Sequence, residues 1–275
     1  MNEPTRRHFL SRAGAVLAAV PLAGTALAQG TKSPRFTLAM ASYTFRKFGL
    51  EETLAMTKRL GLTRIAFKDF HLALNSSPEA IREAASKTRD AGLELYSCGV
   101  VYMKTEAEVK QAFEYAKTAG MGLIVAVPEH GLLPLVDRMA REYDIKVAIH
   151  NHGPGDLVYP SPQSAWDRIS GLDPRIGLCL DIGHAQRLGL DPSAEFARFS
   201  GRVLDVHIKD VSAPSEKGTT VEIGRGVIDI PKFIRTLVKL NYSGALALEY
   251  EKDESDPLPG AAESAGYLRG VIKTL

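Results

Sequence analysis

The chain has 275 residues, 45% hydrophobic and 24% charged, with a formal net charge of +2. That is enough apolar sequence for one substantial core. The near balance of charge gives no electrostatic reason to bind nucleic acid.

Thr5-Arg-Arg-His-Phe-Leu10 is a twin-arginine pattern, followed by the uncharged stretch Ala13 to Ala26 and the small-x-small site Ala26-Leu-Ala28. Residues 1–28 are therefore expected to be a signal peptide, read by the twin-arginine (Tat) export machinery and removed in the periplasm. The apolar stretch is too short and too rich in alanine and glycine for a membrane anchor, so no anchoring is expected after cleavage. Removal of Glu3, Arg6, Arg7 and Arg12 leaves the rest of the chain neutral. Residues 29–35 read as a short polar linker.

Eight strand-like apolar runs follow, beginning near Phe36, Thr63, Leu93, Gly122, Lys146, Arg175, Arg202 and Gly244. Apolar residues at three- and four-residue spacing between them predict helices over Leu50–Leu60, Pro78–Ala91, Thr105–Ala119, Leu132–Tyr143 and Ile230–Leu240. Ser77-Pro78-Glu79 looks like a helix start, and Gly61, Gly92 and Gly120 like helix ends. Alternating units in this number predict an α/β fold, a single (β/α)₈ TIM barrel over residues 36–275. No G-x-G-x-x-G follows the first run, so a doubly wound dinucleotide-binding sheet has no support. Cys98 and Cys179 fall in runs three and six, which are not neighbours in a barrel, and read as buried packing rather than a disulfide. The connection Ser212 to Asp229 is longer than most βα loops and is expected to close over a ligand.

Four of the runs end in a residue able to bind metal: His150, Asp181, His207 and Glu249. Strand alternation puts Ala148, His150 and His152 on the inner face, and likewise Gly177, Cys179 and Asp181. Asp205, His207 and Lys209 face in from the seventh run, and Ala245, Ala247 and Glu249 from the eighth. One polar residue at a strand end is usually only hydrogen-bonded. Four at one level of consecutive strands point to a divalent metal, and two imidazoles with two carboxylates suit manganese, cobalt, zinc, iron or magnesium better than calcium.

These residues carry a resemblance. Leu180-Asp-Ile-Gly-His184, Val206-His-Ile-Lys-Asp210, Glu222-Ile-Gly-Arg-Gly-Val-Ile-Asp229 and Ala247-Leu-Glu249 are similar to motifs of the xylose-isomerase-like barrels, the sugar phosphate isomerase/epimerase superfamily. The resemblance covers the chain after its signal. It implies a metal held by glutamate, aspartate, histidine and glutamate on strands five to eight, and Asp181, His207 and Glu249 match those positions. The fifth strand departs from the pattern, with His150-Asn-His152 where many members have glutamate before Asn-His. Glu129, at the end of run four, is the alternative first ligand or base. The acid–base pair is then Glu249 with His150 or with Glu129.

The chemistry implied is loss of a proton α to a carbonyl, with the enediolate stabilised by a metal chelated between carbonyl and adjacent hydroxyl. Return of the proton to the other face is epimerisation, return to the next carbon is isomerisation, and loss of a β-hydroxyl is dehydration. An exported isomerase or epimerase of a keto-sugar or polyol derivative is the first expectation, with a dehydratase or lyase on a keto-sugar or keto-glycoside the alternative. A non-catalytic periplasmic sugar-binding protein would need two lobes, and the sequence offers one domain. The apurinic endonuclease branch would need further histidines, whereas runs two and three end in Lys68 and Ser97–Gly99. Substrate contacts are expected from His184, Lys209, Lys68, His152 and Arg225, with Trp166 and Tyr159 lining the pocket. His71 and Glu251 read as structural. A sugar is the expected small-molecule partner, and a homo-oligomer is compatible with the sequence.

Overall fold

Each apolar run forms a strand because both of its faces are covered, the inner by the barrel core and the outer by a helix. The first is β1 (Thr37–Ala41), followed by α1 (Leu50–Arg59), β2 (Arg64–Phe67), α2 (Pro78–Asp90) and β3 (Glu94–Met103). Then come α3 (Glu106–Ala119), β4 (Leu123–Pro128), α4 (Leu133–Tyr143), β5 (Lys146–His150), α5 (Pro162–Ile169) and β6 (Ile176–Asp181). Two helices, α6 (Ile182–Arg187) and α7 (Pro192–Phe199), precede β7 (Val203–Ile208). The hairpin strands β8 (Asp210–Val211) and β9 (Thr220–Val221) come next, then α8 (Ile230–Lys239), β10 (Ala245–Leu248) and α9 (Leu258–Lys273). In this computed structural model residues 34–275 are described. The expected signal peptide and residues 29–33 of the linker lie outside them.

Strands β1 to β7 and β10 close into one parallel barrel, with β10 between β7 and β1. The expected (β/α)₈ fold is the one observed. Capping explains where the helices begin and end. Ser77 accepts a hydrogen bond from Ala80 N at the start of α2, and Thr105 and Glu108 form a reciprocal capping box on α3. Gly120 ends α3 at φ 74°, a left-handed conformation that a Cβ would penalise.

Two features depart from the sequence pattern. The Ser212–Asp229 connection is not a simple loop: its Thr220–Val221 pairs antiparallel with Asp210–Val211, the two residues just before it. The connection between β6 and β7 holds two short helices, neither of them among the five expected. Cys98 and Cys179 are both buried and free. Among the described residues, no helix is long and apolar enough to cross a membrane.

Candidate metal centre and active site

Parallel register brings the polar strand ends to one level. Asp181 stands opposite His207, His150 opposite Cys179 on β6, and Glu249 N bonds Ile208 O just beyond the end of β10. His150, Asp181, His207 and Glu249 each offer one ligand atom, and these atoms lie within 4.8 Å of one another. All four residues are buried.

The D-x-x-H spacing has a local cause. Asp181 is the N-cap of α6, and its Oδ1 accepts from His184 N at 2.8 Å. That contact leaves Oδ2 to face the barrel axis. Asn151 fixes the same strand end from the other side, donating to Asp181 O at 3.1 Å and accepting from Asp181 N at 3.0 Å. Sequence reasoning missed Asn151, because an amide that stands in for strand pairing leaves no periodic trace.

The donors fit a divalent metal. His150 is 1% exposed, yet neither of its ring nitrogens makes a hydrogen bond, while Nε2 lies 3.4 Å from Asp181 Oδ2. A buried imidazole with no partner is a costly arrangement unless another ligand meets it. Burial, with the nearby His207 and His152, pushes His150 down to about 3, so it is the neutral imidazole a metal requires. Cys179 also lies within reach, but burial pushes its thiol up to about 12, which disfavours it as a thiolate ligand.

The two carboxylates are ionised. Burial opposes their charge, but His184 and Lys209 beside Asp181 outweigh it, as do Lys209 and His207 beside Glu249, holding both well below the usual carboxylate range. Burial likewise opposes charge on His207, and Cys179 and Glu249 outweigh it. Because the Cys179 thiol is neutral, Glu249, with Oε2 3.1 Å from His207 Nδ1, is the operative partner. His207 is thus held protonated well above its ordinary range.

A cavity of about 300 Å³ opens over this cluster, with Lys68, His152, His184 and Lys209 in its wall beside His150 and Glu249. Four of the five residues expected to contact substrate therefore line this cavity. Tyr43, Tyr102 and Glu251 also line it. Tyr102 projects from the overlong β3 and bonds His152 Nε2 at 2.9 Å. Glu251, expected to be purely structural, faces this cavity. A second cavity of about 480 Å³ shares His184, Lys209 and Glu251 with the first and is walled in part by Thr219, Thr220 and Val221. The Ser212–Asp229 connection thus borders the site.

Several expectations are corrected. Glu129 follows β4 as an exposed residue before the turn His130–Leu132 and belongs neither to the four-residue cluster nor to the cavity wall. Its strand ends in Pro128, and the next residue already turns outward. Arg225 pairs with Glu263 on α9, Nη2 to Oε2 2.7 Å, and is exposed on the outer surface. Tyr159 is buried against Pro128, donating to its carbonyl at 2.9 Å. Trp166 packs against Phe199 with the rings tilted by 41°. Neither aromatic lines the cavity. His71 is buried in a network with Ser42 and Thr53, a structural role as expected.

The family model for xylose isomerase-like TIM barrels matches residues 31–271. The chain belongs to that family. Over 152 residues it is 32% identical to the rhizopine catabolism protein MocC of Rhizobium meliloti, covering 50% of this chain and 46% of that one. An inosose dehydratase of Lacticaseibacillus casei is 28% identical over 161 residues, covering 52% and 53%. The chain spans about half the length of these curated relatives. Among solved structures, a 3-keto-D-glucoside 4-epimerase from E. coli superposes with a TM-score of 0.72 at 14% identity, covering 86% of this chain and 99% of that one. At that identity the likeness is one of fold.

Proposed function

We propose that this barrel removes a proton α to the carbonyl of a keto-sugar or keto-polyol, with the help of a divalent metal held by His150, Asp181, His207 and Glu249. The observation that carries the reading is the convergence of four buried ligand atoms within 4.8 Å beneath a cavity lined by hydrogen-bonding side chains. When bound, the metal polarises the carbonyl and stabilises negative charge on its oxygen. Glu249 is the base: it is ionised, it lines the cavity, and His207 and Lys209 both approach its Oε2. Lys68, His152 and His184 hold substrate hydroxyls. The Tyr102 hydroxyl, tied to His152 and also in the cavity wall, returns or accepts the second proton.

Isomerisation or epimerisation is the first reading of the outcome. Dehydration is the second, favoured by one observation. At the fifth-strand position the neutral His150 stands where many family members have a glutamate, so Glu249 is the one ionised ligand on the cavity wall. The likeness to inosose dehydratases supports the same reading. We also propose export to the periplasm, on the strength of Arg6, Arg7 and the stretch that follows them; a reporter fused to residues 1–28 tests it by cell fractionation.

The experiment is proton exchange in D₂O with manganese or cobalt, offering D-fructose, D-tagatose and 2-keto-myo-inositol and following the spectrum by NMR. Deuterium at the α-carbon is expected, with Glu249→Gln slowing exchange by about 10² or more. Product with inverted or moved oxygen and no loss of water would mean epimerase or isomerase, and a deoxy 1,2-dicarbonyl, formed as the hydroxy-enone left by loss of the β-hydroxyl ketonises, would mean dehydratase. Absence of exchange with any ketose would contradict the reading.

A further inference from the structure

The Lys209 ammonium stands 3.0 Å from Asp181 Oδ2 and 2.6 Å from Glu249 Oε2, and it also donates to Glu251. Two of these oxygens belong to candidate metal ligands. The third belongs to a carboxylate outside the cluster whose side chain is 30% exposed. This placement is built into the fold. Lys209 is 2% exposed, and its stem passes Gly183, where a Cβ would come within 2.4 Å of Lys209 Cγ and 2.7 Å of Cδ. Any side chain at position 183 would push the stem out of its slot.

A divalent cation using Asp181 and Glu249 would share its oxygens with this ammonium. Two cations a few ångströms apart repel strongly where little water screens them. Three carboxylates surround one ammonium, and the metal needs two of them. The third, Glu251, is the one place the ammonium can go without losing its counter-charge. Building on the metal reading above, we infer that Lys209 competes with the metal for Asp181 and Glu249, and that Glu251 receives its ammonium when metal binds. Lys209 and Glu251 are then positioning residues that set metal affinity by charge. Moved onto Glu251, the ammonium still borders the 300 Å³ cavity, where it meets substrate oxygens.

The test is the affinity of the full chain for manganese and for zinc, measured by competition with a fluorescent chelator in wild type, Lys209→Met and Glu251→Gln. Methionine keeps the length of the stem and removes the competing charge, so metal should bind about tenfold tighter or more. Glu251→Gln removes the receiving carboxylate, so metal should bind weaker by a similar factor. Opposite signs are the decisive result, because a purely structural Lys209 would weaken binding in both variants. Weaker or unchanged affinity in Lys209→Met overturns the inference while leaving the metal site intact. Should Lys209→Met fail to fold, unchanged affinity in Glu251→Gln overturns it equally. A wild type that binds neither metal sinks the reading of the site itself, and this inference with it.

Discussion

Asp205 lies two residues before His207 on β7, fully buried, with the Tyr96 hydroxyl 3.2 Å from its Oδ2. Burial, the largest influence, pushes its pKa from 3.8 up to about 6. An acid whose folded pKa is raised holds its proton where the unfolded chain has lost it. Stability therefore falls as pH rises from about 4 to about 6, and the penalty persists above that, on the order of 3 kcal/mol. Asp205→Asn should raise the Tm at pH 7.5 and change it little at pH 4, a pattern thermal melts at the two values would check. A lower Tm at pH 7.5 would show that Asp205 is better compensated than its surroundings indicate. Residues such as Asp205, His150 and Asp181 could be placed from sequence because strand parity and strand ends fix where their side chains point. Glu129 and Arg225 could not. They lie just past a strand or within a long connection, where one turn of backbone reverses a side chain and no period records it.

At the scale of elements, the β7–α8 connection is organised by a single carboxylate. Asp210 accepts from the backbone N–H groups of Val211, Gly224, Gly226 and Ile228, at 2.9, 2.9, 3.0 and 3.2 Å. Gly226 lies so close that a Cβ there would reach 2.1 Å from Asp210 Oδ1. Asp210→Ala leaves these donors without an acceptor and should cost about 3 kcal/mol or more. Hydrogen exchange should show residues 224–228 losing protection before the barrel strands do. Equal protection across the whole chain would contradict a local anchoring role. The starts of the main strands and the five expected helices were legible to within a residue or two, since the apolar runs are distinct, the helices are long enough to show their period, and α2, α3 and α8 carry side-chain caps. The β8–β9 hairpin was not. Its strands are two residues long, too short for alternation to register. Helix α6, six residues held by the Asp181 cap, is equally silent in sequence.

At the scale of the whole molecule, the metal binding proposed above would be coupled to stability and to pH. A ligand that binds only the folded barrel stabilises it by mass action, about 2.7 kcal/mol at a concentration one hundred times Kd, so Tm should climb with added manganese or zinc. A Tm indifferent to metal would contradict this. His207 is held protonated above its usual range, mainly by Glu249, and a metal ligand must be a neutral imidazole. Binding should therefore release a proton, and affinity should rise with pH as His207 loses its own. Calorimetry in buffers of different ionisation enthalpy would reveal the release; a buffer-independent heat would argue that His207 is not a ligand. At this scale the barrel and the level of its site were readable, because eight alternating units leave few ways to close a sheet. The substrate was not, because the cavity wall combines side chains from β3, β5 and the segments just past the ends of most other barrel strands, and no single segment encodes its shape.

The most direct measurement is the metal content of purified protein, reconstituted with manganese, cobalt or zinc, in wild type, Asp181→Ala, His207→Ala and His150→Ala. Near-stoichiometric metal in wild type, lost in all three variants, is the expected result. Wild-type protein that holds no metal under any of these conditions, or variants that all keep it, would contradict the account at its centre.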